Sequence, residues 1–243
     1  MSQDTPLRVL RKSLLAGARE ASGVAVVIDV LRAFTSSAVM MHLGAAQIQL
    51  VADPEEALAL KREKGYLAVG EVGGKKVPGF DLGNSPSAIL AVGSSFFVGR
   101  TVVQRTSAGV TGAVAAAPGA DQLLLSSFVT AAATARYIQS QTPPVGVVSL
   151  IGMGRAGLEV TPDDEGCADY IEHLLTGKPY DPVLTLKSIV DDECIQKFLR
   201  GDQPHYPPAD AIYCLQRDLW NFVLVAEFEE GRLICRRVEV PVG

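Results

Sequence analysis

The sequence predicts an α/β layered fold with a largely parallel sheet flanked by helices, plus a C-terminal β-hairpin. Three observations lead there. Val24-Ala25-Val26-Val27-Ile28 is an apolar, mostly β-branched run that ends in the carboxylate of Asp29, the pattern of a strand buried on both faces. Further apolar runs of strand length alternate with helix-length segments. Two late extended runs flank Glu229-Glu230-Gly231 as a hairpin would. A chain of 243 residues, 48% of them hydrophobic, buries a sizeable core without disulfide or metal staples. It is read as one α/β domain over residues 1–243, with room for a smaller C-terminal lobe from about residue 178 to 243.

The elements follow in order. Ala33–Leu43 reads as a helix stopped by Gly44, and Gln47–Val51 as the second strand. Asp53-Pro54-Glu55-Glu56 opens a helix: Asp caps it, Pro suits the first turn, and the acids complement the dipole. Tyr66–Val69 and Arg100–Arg105 are the third and fourth strands, and Gly109–Ala117 is a helix of small residues. Gln122–Leu125 is the fifth strand, Val129–Ser140 a helix and Val145–Ile151 the sixth strand. Thr161-Pro162-Asp163-Asp164-Glu165 caps a helix reaching about Leu175, with its acids read as partners of the helix dipole. Lys178–Pro208 looks helical but irregular. Leu219–Glu227 and Arg232–Val240 form the hairpin, which either closes a sheet edge or builds a small lobe.

Composition narrows the function. A net charge of −5 gives no bulk attraction to nucleic acid or an anionic membrane, but leaves room for a local basic pocket. Residues 1–20 are polar and lack the apolar core of a signal peptide, and no stretch is long and apolar enough for a membrane span. The four cysteines are widely spaced, with no C-x-x-C pair, and are expected as small core residues in a reducing cytoplasm. His42, His173 and His205 lie outside every glycine-rich turn and are read as structural.

In open α/β sheets ligands bind beyond the carboxyl ends of the strands. There the sequence places Asp29 and Arg32, Gly70-Glu71-Val72-Gly73-Gly74, Gly79-Phe80-Asp81-Leu82-Gly83-Asn84-Ser85-Pro86, Arg105-Thr106-Ser107-Ala108-Gly109, Ser126-Ser127-Phe128 and a glycine-rich turn carrying Arg155. These are carboxylates, hydroxyls, glycines and arginines, without histidine or cysteine. Oxygen donors suit a hard cation such as Mg²⁺, while forked arginines and turns leading into helices suit phosphate or sulfonate. Each feature also has a plain structural reading. Asp29 caps the helix from Ala33, Asn84 or Ser85 caps the next one, and Thr106–Gly109 is an ordinary cap sequence. The P-loop, the Rossmann glycine fingerprint, the nucleophile elbow and H-E-x-x-H are all missing.

Val26-Val27-Ile28-Asp29-Val30-Leu31-Arg32-Ala33, Gly70–Gly74 and Gly79–Pro86 resemble, in order, motifs of the 2-phosphosulfolactate phosphatase family. Thr106–Gly109, Ser126-Ser127-Phe128, Asp163-Asp164 with Cys167-Ala168, and Asp210–Asp218 are similar to further segments of that family. The chain departs from the family pattern at Val72, Ser107, Ala108, Asp163 and Asp169. The resemblance implies a Mg²⁺-dependent phosphatase converting 2-phospho-3-sulfolactate to 3-sulfolactate, a step toward coenzyme M, or acting on a similar phosphorylated hydroxy-acid. Asp29, Glu71 and Asp81 are the expected catalytic and metal-binding carboxylates. Arg32, Asn84, Ser85, Arg105, Thr106, Ser107, Gly109 and Ser127 are the expected substrate-binding residues. The expected partner is a small anionic phosphorylated substrate, with no nucleic acid and no membrane, and a homo-oligomer is compatible with the sequence. A non-catalytic module binding a phosphorylated or sulfonated acid is the alternative.

Overall fold

The computed structural model describes residues 7–241. The strands are β1 (Arg8–Ser13), β2 (Val24–Ile28), β3 (Gln47–Leu50), β4 (Leu67–Val72), β5 (Lys75–Lys76), β6 (Thr101–Arg105), β7 (Gln122–Ser126), β8 (Val147–Gly152), β9 (Phe222–Glu229) and β10 (Arg232–Glu239). They form one sheet in the order β1-β8-β2-β7-β9-β10-β3-β6-β4-β5. Strands β1, β8, β2 and β7 run parallel as one group, and β3, β6 and β4 as another. The fold class is therefore as the sequence predicts, a mostly parallel sheet flanked by helices with a C-terminal antiparallel pair.

The hairpin is placed differently from either expectation. It closes no edge. Strand β9 pairs with β7 and β10 with β3, both antiparallel, so the hairpin joins the two parallel groups through the middle of the sheet. Its turn, Glu230-Gly231, has positive φ at both residues (51° and 76°) and brings Glu229 opposite Arg232. That is the backbone a two-residue hairpin loop needs to match strand twist.

Two strands, β1 and the two-residue β5, are not anticipated by the sequence reading; β1 is the longer. Its residues, Arg-Val-Leu-Arg-Lys-Ser, are half charged, as edge strands often are. Arg11 reaches out to Asp169, Glu165 and Glu172 rather than interrupting a core. Residues 1–6 of the polar N-terminal stretch lie outside the described residues. Elsewhere the strand and helix boundaries differ from the expected ones by a few residues at most. The largest shifts, of three residues, are at β4, which continues through Gly70 to Val72, and at the start of β9.

The helices are α1 (Leu14–Ala18), α2 (Ala33–His42), α3 (Pro54–Lys64), α4 (Pro86–Val92), α5 (Gly109–Ala116), α6 (Ala131–Gln139), α7 (Pro162–Thr176), α8 (Pro182–Asp191), α9 (Glu193–Leu199) and α10 (Pro208–Cys214). Asp53 caps α3 by accepting the Glu55 N–H at 3.0 Å, with Pro54 in the first turn. Alternate strand residues feed opposite cores. Val24, Val26 and Ile28 join the cluster under α6, α7 and α9, whereas Ala25 and Val27 join the one holding α2 and α5. Helix α5 packs on β2 and β7 of one parallel group and on β3 and β6 of the other. The sheet therefore curls around α5, and this brings the end of β2 to the turn that follows β6. Four strands lie between β2 and β6 in the sheet order. Among the described residues no helix is long and apolar enough to cross a membrane. All four cysteines are buried and unpaired.

Candidate active site

The convergence begins at Asp29. It follows β2, is 5% exposed, and receives two backbone N–H groups: Ala33 to Oδ1 at 2.9 Å and Gly109 to Oδ2 at 2.8 Å. The capping reading of Asp29 is thus correct, and so is its position at the mouth of a pocket. Gly109 is required for this approach. A Cβ there would stand 2.6 Å from the Ala33 Cβ and 2.7 Å from Asp29 Oδ2.

Glu71, on β4, is fixed in the same way. Its Oε1 accepts the Ser107 N–H at 2.6 Å, and its Oε2 accepts the Gly74 N–H at 2.5 Å and the Ser107 hydroxyl at 3.1 Å. The two turns expected to cradle an anion therefore spend the N–H groups of Ser107, Gly74 and Gly109 on the protein's own carboxylates. The Ala108 N–H, in the same turn, has no hydrogen-bond partner among the described residues. Thr106 lines the pocket while its Oγ1 accepts the Val110 N–H at 3.0 Å, starting α5.

Arg32 is buried at the same pocket. It donates to Asp210 Oδ2 and to the His205 carbonyl, both at 2.8 Å, and to the Gly74 carbonyl at 3.3 Å. Its guanidinium lies 5.3 Å from the ring centres of both Phe198 and Tyr206. Asp210 is itself fully buried, and its other oxygen accepts from Ser85 Oγ, Ser87 N and Ser87 Oγ at 2.8, 3.0 and 2.5 Å. Gly74 leaves room for this packing, since a Cβ there would fall 2.1 Å from the Tyr206 hydroxyl.

Together with Leu31, Asn84, the Gly154–Ala156 turn and residues of α9, these groups line a pocket of about 410 Å³, within the range of small-molecule sites. Several expected residues lie elsewhere. Asp81 is the main correction. Its Oδ1 pairs with Lys61 Nζ at 2.6 Å and its Oδ2 accepts the Ala68 N–H at 2.8 Å, so the α3 lysine and a strand amide hold it away from the pocket. The expected three-carboxylate centre of Asp29, Glu71 and Asp81 does not form. Among the described residues no three His, Cys, Asp or Glu side chains are placed to share an ion. Arg105 braces the Glu71 carbonyl (2.6 Å) and Ala52 carbonyl (3.0 Å) rather than facing the pocket. Ser127 is fully buried, where it accepts the Thr35 hydroxyl. Ser85 caps α4 and is bound to Asp210, in an adjoining pocket that His205 also lines.

Sequence reasoning missed Asp210, Lys197 and the role of Asp163 and Asp164. The last two do open α7, but both are buried. Asp164 accepts the Val30 N–H at 2.8 Å and the Gly154 N–H at 2.7 Å, tying the ends of β2 and β8 together. Among the described residues Asp163 Oδ1 has no hydrogen-bond partner. Nothing in the spacing distinguishes them from first-turn acids on a surface helix.

Burial pushes Asp29 up to about 7; the Ala33 N–H opposes this, and the nearby charges of Asp163 and Glu71 add to it. Burial likewise raises Asp163 and, helped by Asp163 and Asp29, holds Asp164 well above the ordinary carboxylate range. An acid whose pKa is raised by folding takes up a proton as the chain folds. Its stabilising contribution is complete below the ordinary value and is lost as pH rises through the folded-state value. For Asp29 this window runs from 3.8 to about 7, and at ~1.4 kcal/mol per pH unit it amounts to about 4 kcal/mol. The urea midpoint in EDTA is therefore expected to fall between pH 5 and pH 8. A midpoint that is flat or rising over that range contradicts this picture of the acids.

Comparison with known proteins agrees with the motifs. The family model for 2-phosphosulpholactate phosphatase matches residues 10–228. The chain belongs to the 2-phosphosulpholactate phosphatase family. That is a family of phosphoric monoester hydrolases. The chain is 30% identical over 201 residues to a probable 2-phosphosulfolactate phosphatase of Bacillus subtilis, covering 82% of this chain and 85% of the relative. A similarly named Caldicellulosiruptor saccharolyticus protein is 35% identical over 215 residues, covering 82% and 87%. One from Thermus thermophilus is 40% identical over 159 residues, 65% of each chain.

Proposed function

We propose that the chain hydrolyses 2-phospho-3-sulfolactate, or a closely similar phosphorylated hydroxy-acid, to the free hydroxy-acid and inorganic phosphate. Membership of the family supports the reaction class. The observation that carries it to this site is the pairing of two buried carboxylates, Asp29 and Glu71, with the buried Arg32 around one pocket. The step toward coenzyme M belongs to the same reading. A reducing cytoplasm fits the four unpaired, buried cysteines.

The donors fit Mg²⁺ in its sparser mode, in which one or two carboxylates hold an ion that keeps waters and takes substrate phosphate oxygens. Asp29 and Glu71 would hold it. Both oxygens of Asp29 and Oε1 of Glu71 accept one N–H each and retain acceptor capacity, and the charge of Glu71 adds to the raised pKa of Asp29, a repulsion that a cation relieves. When bound, the ion neutralises charge on the phosphoryl oxygens. The chain's own groups do the rest. Arg32, held by Asp210 and two aromatic rings, offers an anionic substrate the guanidinium N–H groups that Asp210 and the His205 and Gly74 carbonyls leave free. Without the ion Asp29 titrates near neutrality and can hold a proton or accept one from a water; with the ion bound it would stay ionised. Its rigid N–H partners keep it in place for either task.

The test is phosphate release from a panel of small phosphorylated acids, with Mg²⁺ and with EDTA. Release with Mg²⁺ that EDTA suppresses is the expected result. Binding without release identifies a recognition module instead, and release indifferent to EDTA removes the ion from the reading.

A further inference from the structure

One side of the pocket is basic beyond what the carboxylate end requires. The turn after β8 and helix α9 contribute Arg155, Lys197 and Arg200 to its lining. Two of these are already compensated: Arg155 pairs with Glu159, and Arg200 with Glu193 and Asp202. Arg32 has Asp210. Lys197 has neither an ion pair nor a hydrogen bond among the described residues. Its ammonium lies 4.8 Å from the Tyr206 ring centre and 5.3 Å from that of Phe198, faces that hold a cation without neutralising it.

The surroundings sharpen this. Burial lowers the pKa of Lys197, the charges of Arg155 and Arg32 lower it further, and Asp163 opposes them. Asp163 shares with Lys197, Arg155, Leu31 and Gly154 a cavity of about 20 Å³, room for about one water, and its Oδ1 has no hydrogen-bond partner among the described residues. Those four residues also line the main pocket. A partly dehydrated cation with no direct ion pair, only Asp163 across a one-water cavity, thus borders a pocket much larger than a phosphate group fills.

We propose that Lys197, with Arg155 near it, takes a second anionic group of the substrate, a carboxylate or a sulfonate. This deepens the phosphatase reading and rests on it for the other end of the ligand. The substrate already proposed for the site carries both acids, and Lys197 becomes the residue that selects for one of them.

Kinetics of Lys197→Met test the selection. The rise in KM is expected to be about 10–100-fold for 2-phospho-3-sulfolactate, at least tenfold greater than the rise for glycerol 2-phosphate, which has no second acid, with Lys197→Arg recovering most of the loss. 2-Phospholactate separates the two acids: a matching penalty assigns the carboxylate, a small one the sulfonate. Equal penalties on all three esters, or none, overturn the proposal, as does a loss confined to kcat. Calorimetric binding of 3-sulfolactate to the wild type and to Lys197→Met decides the same question without turnover. Binding weakened by the substitution supports the subsite even if no ester is hydrolysed, in which case only the phosphatase reading fails. Unchanged or absent binding overturns the subsite even if turnover is normal.

Discussion

Asp29→Asn is expected to lower phosphate release by at least about 10²–10³-fold, the range seen when a group acting chiefly in the transition state is removed, while leaving a folded protein. The substitution keeps the shape of the side chain but removes its charge and its ability to titrate. The amide nitrogen must then face the Ala33 or the Gly109 N–H, so one of the two backbone bonds to Asp29 is lost. Leaving that N–H unsatisfied costs roughly 1–3 kcal/mol. Removing a buried ionisable group acts in the opposite sense, by up to about 4 kcal/mol at pH 8 if Asp29 were otherwise ionised there. The two terms largely offset, so the activity loss should come without a large change in thermal midpoint. Steady-state kinetics beside thermal unfolding checks both halves. Near-normal turnover in a folded variant would exclude the role given to Asp29, whereas an unfolded variant would show that its capping of α2 and α5 dominates.

Asp210→Ala should be the most destabilising single change at the site. Asp210 is fully buried, and its side chain receives Arg32 on one oxygen and Ser85 and Ser87 on the other. Removing it strands the guanidinium of Arg32, 4% exposed, without a counter-charge. Breaking one side of a buried pair costs about 3–5 kcal/mol, whereas removing both partners is far milder. Denaturant unfolding of Asp210→Ala, Arg32→Met and the double variant should therefore show strong coupling, the double variant losing less than the sum of the singles. Additive losses would mean that the pair is not energetically linked. Because both groups are out of solvent, the coupling should persist in high salt.

The architecture was legible where local chemistry decides the outcome. The run from Val24 to Ile28 could be read as a strand buried on both faces because its apolar residues do not alternate with polar ones, and Asp53-Pro54 marked a helix start through capping that needs no distant partner. Glu71 was visible for a related reason, since an acid among glycines has little packing purpose, and Asp29 because it closes a buried strand at the sheet end where ligands bind. The rest depended on distant partners. Asp81 carries the same local signal as Glu71, but Lys61 on α3 claims it. Asp163, Asp164 and Asp210 look like ordinary first-turn acids, and only the fold shows them buried against β2, β8 and Arg32. Lys197 sat in a segment read as irregular helix, with no signal that its neighbours would leave it without a direct ion pair. Strand β1 escaped notice because an edge strand can be half charged and still pair.

The placement of β9 and β10 has a consequence for biosynthesis. These are the last two of the ten strands to leave the ribosome, yet they are the ones that knit the two parallel groups together. Until they arrive, β7 and β3 each present an unpaired row of backbone donors and acceptors, the kind of border that recruits other nascent chains. Translation must reach Glu239 before the sheet can be completed, so a premature stop shortly before Phe222 would release a chain with all ten described helices encoded and its central seam open. Such a fragment is a natural client for chaperones, and supplying residues 222–239 in trans is the direct way to ask whether that seam can be closed after synthesis.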